Sequence, residues 1–320
     1  MDRQNYKRIF VLHPWGIGDL VMLLPTLKLL RTALPESKIN LGVSPIQKPL
    51  AQTLEHKVVD SITVHCDEGK LADMAHLIGD IRQFGTDLLV ELSGGYRHTL
   101  ASYLSSARTV HMSPDLARPF FRNIGGRLPT SGSPHLVEKH LQLLHYLGLP
   151  ASRINFDFPL SDSAIESAES QITRFDLRGR KIIALVPDSS LAFKNWPSIN
   201  MEKTIKYLVN DMGCEVVLFG KKQLAELKSK RITDLRGQTD ILTDAYLLRH
   251  SGLFSVTIGV DTGMMHLAGS VNSEQDGTYI YNTRGNRTVS LFGSTDPAMY
   301  KPYDPTNRFN LVVRPAYATF

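Results

Sequence analysis

A chain of 320 residues is longer than one ordinary hydrophobic core and fits two domains. With 42% hydrophobic and 21% charged residues it has the composition of a globular protein, neither fibrous nor disordered. Its net charge of +5 is spread evenly, +3 over residues 1–158 and +2 over residues 159–320, with no stripe of Lys and Arg interleaved with aromatics. That excludes a dedicated nucleic-acid binder and leaves a mild pull toward anionic substrates or an anionic membrane face.

The apolar run at residues 9–12 reads as a buried strand. Gly16, Gly18 and Asp19 then interrupt the hydrophobicity, which excludes a signal peptide or a transmembrane helix and makes the cytoplasm the expected location. Residues 20–34 carry apolar side chains at helical spacing, an amphipathic helix that packs on a core, with Lys28 and Arg31 exposed and a kink at Pro25. Residues 39–43 and 88–92 read as further strands with helical patterns between them, the signature of a parallel sheet. A helix at 138–147 ends at Gly148-Leu149-Pro150.

The cycle then restarts. Residues 181–186 form a strand, 199–212 a helix closed by Gly213, 215–219 a strand, 241–249 a helix and 254–260 a strand. The expected fold is α/β, two Rossmann-like arrays at residues 1–158 and 159–320 with a cleft between them, and no internal repeat. Cys66 and Cys214 are two lone thiols without metal-ligand spacing, as in a reducing compartment. Nine of the eleven His precede residue 146 but are scattered singly, with no metal-binding spacing.

Four turns follow strands, where open parallel sheets bind their ligands. His13-Pro14-Trp15-Gly16-Ile17-Gly18-Asp19 lacks the third Gly of a dinucleotide fingerprint, so a nicotinamide cofactor is disfavoured. Asp19 is either a helix N-cap or a carboxylate at the floor of a cleft, kept ionised by the helix terminus and able to act as a base. Pro187-Asp188-Ser189-Ser190, with Lys194-Asn195-Trp196-Pro197 after it, offers two hydroxyls and a fixed positive charge, although its spacing is not that of a phosphate loop. Asp261-Thr262-Gly263-Met264-Met265-His266 breaks a strand and opens a helix. Unpaired N–H groups and a Gly there suit a phosphate, and the same residues also suit an ordinary capped turn. Leu291-Phe292-Gly293-Ser294-Thr295-Asp296-Pro297 is a fourth polar turn after a strand.

Taken together these segments resemble the ADP-heptose:lipopolysaccharide heptosyltransferases of glycosyltransferase family 9. The resemblance rests on the Gly-Asp turn at Gly18-Asp19, Lys194-Asn195-Trp196-Pro197, Asp261 to Ala268 and Leu291 to Pro297, four ordered motifs over most of the chain. It implies a GT-B architecture with acceptor bound by the first domain and nucleotide sugar by the second, and inverting transfer of heptose without a metal ion or other cofactor. It further implies Asp19 as general base, Ser189, Ser190 and Lys194 facing the donor phosphates, and Thr262, Gly263 and Met264 cradling the diphosphate. Asp261 would then lie on the sugar, with His266 nearby. The implied partners are ADP-heptose and a glycan or lipid-linked acceptor of the lipopolysaccharide core, with peripheral contact at the inner membrane.

The same fold also serves other nucleotide sugars, small-molecule acceptors and nucleotide-sugar epimerases. Departures are a β-hairpin insertion expected from strands at 278–281 and 288–292, which brings Arg284 or Arg287 into play, and no clear nucleoside-binding Glu among residues 221–226. The chain also stops at Phe320 without the crossover helix usual in the family.

Overall fold

The structure, a computed structural model, describes residues 6–66, 71–93, 95–111, 126–127, 132–151, 154–178, 181–221, 229–270, 273–275, 278–280 and 287–315. The chain divides into two compact units, Met1–Pro159 and Leu160–Phe320.

The first unit carries six strands, β1 (Arg8–Leu12), β2 (Lys38–Val43), β3 (Ser61–Val64), β4 (Leu88–Glu91), β5 (Thr109–His111) and β6 (Gly126–Arg127). All pair in parallel, in the order β3-β2-β1-β4-β5-β6. The connecting helices are α1 (Ile17–Ala33), α2 (Lys48–Gln52), α3 (Leu71–Gln83), α4 (Tyr96–Ser105) and α5 (Leu136–Tyr146). Helices on both faces bury the central strands completely. That is why β1 and β4 are nearly unbroken apolar runs and were legible from sequence. The short edge strands β3 and β6, and the three-residue β5 beside β6, lack that signal.

Helix α1 begins three residues earlier than its apolar pattern suggested and runs as one element through Pro25. Every residue from Leu20 to Leu27 is buried, so α1 is covered nearly all round instead of presenting one amphipathic face. Lys28 and Arg31 are not free surface cations either. The Lys28 ammonium bonds to Asn155 and the Asp157 carbonyl. Arg31 donates to the carbonyls of Val58 and Ser37 and pairs with Asp60. Both tie α1 to distant chain, because a half-buried cation needs acceptors that water no longer supplies.

The second unit contains β7 (Ile182–Val186), β8 (Glu215–Leu218), β9 (Ile232–Asp234), β10 (Phe254–Val260), β11 (Ser273–Gln275), β12 (Thr278–Ile280), β13 (Arg287–Leu291) and β14 (Asn310–Val313). Its helices are α6 (Asp162–Arg174), α7 (Ser198–Lys206), α8 (Ile241–Arg249), α9 (Gly263–Gly269) and α10 (Pro297–Tyr300). The parallel sheet runs β9-β8-β7-β10-β13-β14. Numbered from its own first strand, each sheet reads 3-2-1-4-5-6, so the two units repeat a topology with no trace of a sequence repeat.

Two expectations are corrected here. The helix expected at 199–212 is α7 followed by a π-helical turn, Tyr207–Asp211. The expected hairpin partner was also wrong. β12 pairs antiparallel with β11, whereas β13 lies in the main sheet between β10 and β14. Thr288 and Ser290 are buried, and their alternation with apolar residues mimics a half-solvated hairpin strand. Arg287 starts β13, at the end of the sheet opposite its carboxyl edge, while Arg284 lies outside the described residues. Among the described residues no helix is long and apolar enough to cross a membrane.

Gly259 decides how closely α9 can sit on the sheet. A Cβ there would lie 2.6 Å from Met265 Sδ and 2.7 Å from the Val186 carbonyl oxygen. Gly259→Ala should therefore cost about 1–3 kcal/mol by overpacking. A urea unfolding midpoint equal to that of the parent chain would show that α9 is not seated in this way.

Candidate active site

Reversal of strand order between the first and fourth strands opens a crevice at the carboxyl edge of each sheet. In the second unit this crevice lies between β7 and β10. The loop leaving β7 is stiff: Ser189 N–H donates to Asn195 Oδ1 at 2.8 Å, and Trp196 N–H donates to the Pro187 carbonyl at 3.0 Å. Between them a 3₁₀ turn, Ala192–Lys194, brings Lys194 back over the sheet. Asp188 is held beside Gly220, whose φ of 113° suits only Gly, and accepts the Lys221 N–H at 2.8 Å. Burial pushes the Asp188 carboxyl above its ordinary pKa. Ser189 is half-buried and Ser190 exposed.

Lys194 Nζ donates to Asp261 Oδ2 at 2.6 Å across the crevice, and Thr295 Oγ1 donates to the same oxygen at 2.6 Å. The carboxyl ends of β7, β10 and β13 are thereby tied at one buried carboxylate. Asp261 is 7% exposed and the Lys194 side chain 17%. The structure thus joins two residues to which the sequence assigned separate roles, and adds Thr295, which the sequence placed in the Leu291–Pro297 turn without assigning it a role.

Past Asp261 the chain turns through Thr262, which caps α9 in extended geometry with no side-chain capping bond. The first-turn N–H groups of α9, starting at Gly263, thus have no hydroxyl covering them. Gly263 and Thr262 are half-buried, Met264 is buried, and His266 is only 3% exposed within the helix.

In the first unit the equivalent loop runs from His13 to Gly16. Its Trp15 indole N–H donates to the Ser93 carbonyl at 3.0 Å, bridging the loops after β1 and β4. Ser44 Oγ donates to the Trp15 carbonyl at 2.6 Å, and Gln47 Nε2 donates to the Gly16 carbonyl at 2.8 Å. Asp19 is not an N-cap. Gly16 takes that position, and Asp19 stands three residues on, its Oδ2 accepting the Gly16 N–H at 3.0 Å. The half-buried Asp19 therefore sits in the first turn of α1 at the carboxyl edge of the sheet.

Sequence reasoning missed a second carboxylate at this edge. Glu91 ends β4 at 1% exposure, accepting the Ser93 N–H at 2.8 Å, bonding the Ser93 hydroxyl, and lying 3.0 Å from His111 Nδ1 on the next strand. A charge in an otherwise apolar strand was the available signal. Behind the β1 loop, His13 and His140 stack edge to face with ring centroids 5.1 Å apart. Burial lowers the His13 pKa to about 4 and that of His140 well below its ordinary value. Both rings stay neutral and serve as packing. Among the described residues no group of three or more His, Cys, Asp or Glu is arranged to hold a metal ion.

Two units of this topology define the GT-B class of glycosyltransferases, and solved structures match the chain over almost its whole length. A glycosyltransferase family 9 protein from Veillonella parvula is 20% identical with a TM-score of 0.73, covering 97% of this chain and 86% of its own. Escherichia coli ADP-heptose lps heptosyltransferase II is 18% identical with a TM-score of 0.67, covering 97% and 91%. Escherichia coli heptosyltransferase WaaC with ADP is 16% identical with a TM-score of 0.65, covering 96% and 93%. No curated protein matches. The sequence model of glycosyltransferase family 9 (heptosyltransferase) matches residues 121–320. The chain belongs to that family and is a glycosyltransferase.

Two measurements test this geometry. Lys194→Met leaves Asp261 buried with an uncompensated charge and should cost about 3 kcal/mol. The double variant Lys194→Met/Asp261→Asn should lose at least about 1 kcal/mol less than the two single losses combined. Strict additivity in urea titrations would dissolve the proposed tie.

His13 sets the second. Its folded pKa lies below the unfolded value near 6.5, so the unfolded chain binds more protons below that pH. Stability is therefore full above pH 6.5 and is lost as pH falls toward 4. Between pH 7.5 and pH 5, His13 alone should remove about 2 kcal/mol. His13→Asn should flatten the pH dependence by that amount, whatever its loss at neutral pH. An unchanged slope would contradict a neutral buried ring.

Proposed function

We propose that this glycosyltransferase moves a heptose from ADP-heptose to a lipopolysaccharide-core or other glycan acceptor, with inversion and without a metal ion. In this reading residues 1–158 receive the acceptor and residues 159–320 the nucleotide sugar. The acceptor would be presented at the inner membrane face to a protein residing in the cytoplasm.

The observation that carries the donor half is the Lys194–Asp261–Thr295 tie at the β7/β10 crevice. It holds one ammonium beside the start of α9. A departing nucleoside diphosphate gains negative charge as the anomeric C–O bond breaks, and a pre-positioned cation and N–H dipoles stabilise that charge without reorganising. Asp261 keeps the ammonium oriented before the donor arrives. Ser189 and Ser190 stand on the same crevice lip, with Thr262, Gly263 and Met264 opposite and His266 packed behind them.

On the acceptor side Asp19 is the proposed base. It takes the hydroxyl proton as the acceptor oxygen attacks the anomeric carbon from the face opposite the leaving diphosphate, and a single displacement inverts that centre. Support for the donor comes from the family and from structural neighbours named for ADP-heptose or ADP. Support for the roles comes from the motif positions. Other nucleotide sugars, small-molecule acceptors or epimerisation are separated by one assay. An epimerase consumes donor with no acceptor present, and a different transferase is protected against heating by UDP or GDP instead of ADP.

Asp19→Asn and Asp19→Ala should lower transfer from ADP-heptose by about a hundredfold or more. Both variants should keep the thermal shift that ADP produces. Near-parental turnover in both would remove Asp19 from the role of base, whereas loss of the ADP shift would place it in folding or donor binding.

A further inference from the structure

The loop after β7 carries Lys194, yet its residues 190–193 are exposed, so hydrophobic burial does not hold it in place. Polar contacts at its base do that instead. Pro187 and Ser189 close the loop on itself by bonding Trp196 and Asn195. Asp188, between them, bonds outward to the turn after β8, and nothing in the reaction described so far uses it.

Asp188 is buried, and its Oδ2 accepts the Lys221 N–H at 2.8 Å. A Cβ on Gly220 would stand 1.9 Å from Asp188 Oδ1, so the carboxylate occupies the space that any other residue at 220 would need. The Gly220 carbonyl in turn accepts the Gly237 N–H at 2.9 Å, which joins the turn after β9. Arg236, next to Gly237, is buried. Its Nε and Nη2 donate to Asp234 at 2.8 and 2.7 Å, and its charge also favours the Asp188 carboxylate. The carboxyl ends of β7, β8 and β9 are thereby linked through Asp188. An apolar residue at 188 would spare the cost of burying a charge, but would leave the Lys221 N–H unmatched and the β7 loop untied on this side.

We propose that Asp188 is a positioning residue for the donor: by fixing the base of the β7 loop to the turns after β8 and β9, it sets the reach of Lys194 toward Asp261 and toward a bound diphosphate. Lys194 is then held from both directions, through Asp188 at the base of its loop and by Asp261 at its own ammonium. The inference rests on the reading of this crevice as the nucleotide-sugar site, but the strut itself can be tested with no donor present.

Acetylation of the full-length chain with a water-soluble N-hydroxysuccinimide ester, followed by peptide mass spectrometry, reads the placement of Lys194. In the parent chain its ammonium is paired and largely covered, so it should react slowly beside the exposed Lys203 and Lys206. Asp188→Ala should raise the Lys194 rate about tenfold or more, with Lys203 and Lys206 unchanged, at a temperature where circular dichroism shows both chains folded. The same variant should weaken ADP binding, measured by calorimetry, about tenfold or more, the worth of one displaced hydrogen bond to a charged group. An unchanged Lys194 rate overturns the inference whatever the donor is. A raised rate with unchanged ADP affinity, or a parent chain that does not bind ADP, overturns the donor reading of this loop and the positioning role with it. Should Asp188→Ala fail to fold, Asp188→Asn keeps an oxygen for the Lys221 N–H and loses the charge. It carries the same comparison with a rise of about threefold.

Discussion

One carboxylate organises the second unit. Asp261 directly follows β10, is nearly sealed from solvent, and accepts from both Lys194 and Thr295 on a single oxygen. A buried charge is tolerated only when it is paired and hydrogen-bonded, so the three loops around it cannot move independently. The loop after β7 must curl until Lys194 reaches β10, and the turn after β13 must present Thr295. Gly259, one turn of strand earlier, lets α9 press against the sheet so that Asp261 and Thr262 sit at its rim. Local geometry at the crevice is therefore a consequence of charge satisfaction, with close packing beneath it.

The first unit reaches an equivalent result with neutral groups. Its β1 and β4 loops are joined by an indole N–H on a backbone carbonyl, and its loop is fixed from the β2 side by Ser44 and Gln47. The buried carboxylate there, Glu91, is satisfied within its own edge of the sheet by Ser93 and His111. Asp19 accepts the Gly16 N–H at the start of a long helix. Under the proposed reaction this contrast has a function. A leaving diphosphate needs a fixed cation, whereas a base needs a carboxylate whose remaining lone pairs can accept a proton.

Legibility in the sequence followed the physics of burial. β1, β4, β7 and β10 lie between helix layers and announce themselves as apolar runs, and α8 and β10 were placed at their observed limits. β13 was misread because the buried Thr288 and Ser290 alternate with apolar residues, and Thr288 is matched inside the sheet by Asn310, so that a core strand looks half wet. Lys28 and Arg31 were misread for the converse reason. Charge implies solvent only when no carbonyl is in reach, and tertiary structure supplied several. Turn motifs marked loops at the carboxyl edges of the sheets, but spacing alone had no means of showing that Lys194 and Asp261, 67 residues apart, share one bond.

That shared bond changes how the crevice should respond to a ligand. A lone lysine would exchange water for phosphate and keep its position by chance. Under the proposed reaction Lys194 would instead exchange a carboxylate for a phosphate, and the released Asp261 oxygen would retain the Thr295 hydroxyl as partner. Thr295 alone does not replace the ammonium as partner of a buried carboxylate, so the exchange is cheap only where the donor itself gives that carboxylate a further hydrogen bond. In that reaction a sugar hydroxyl of the donor would supply this bond as the diphosphate is engaged. Pairing and catalysis would then not be competing uses of Asp261: the contact that ties the crevice loops together is the one whose exchange would register a bound donor.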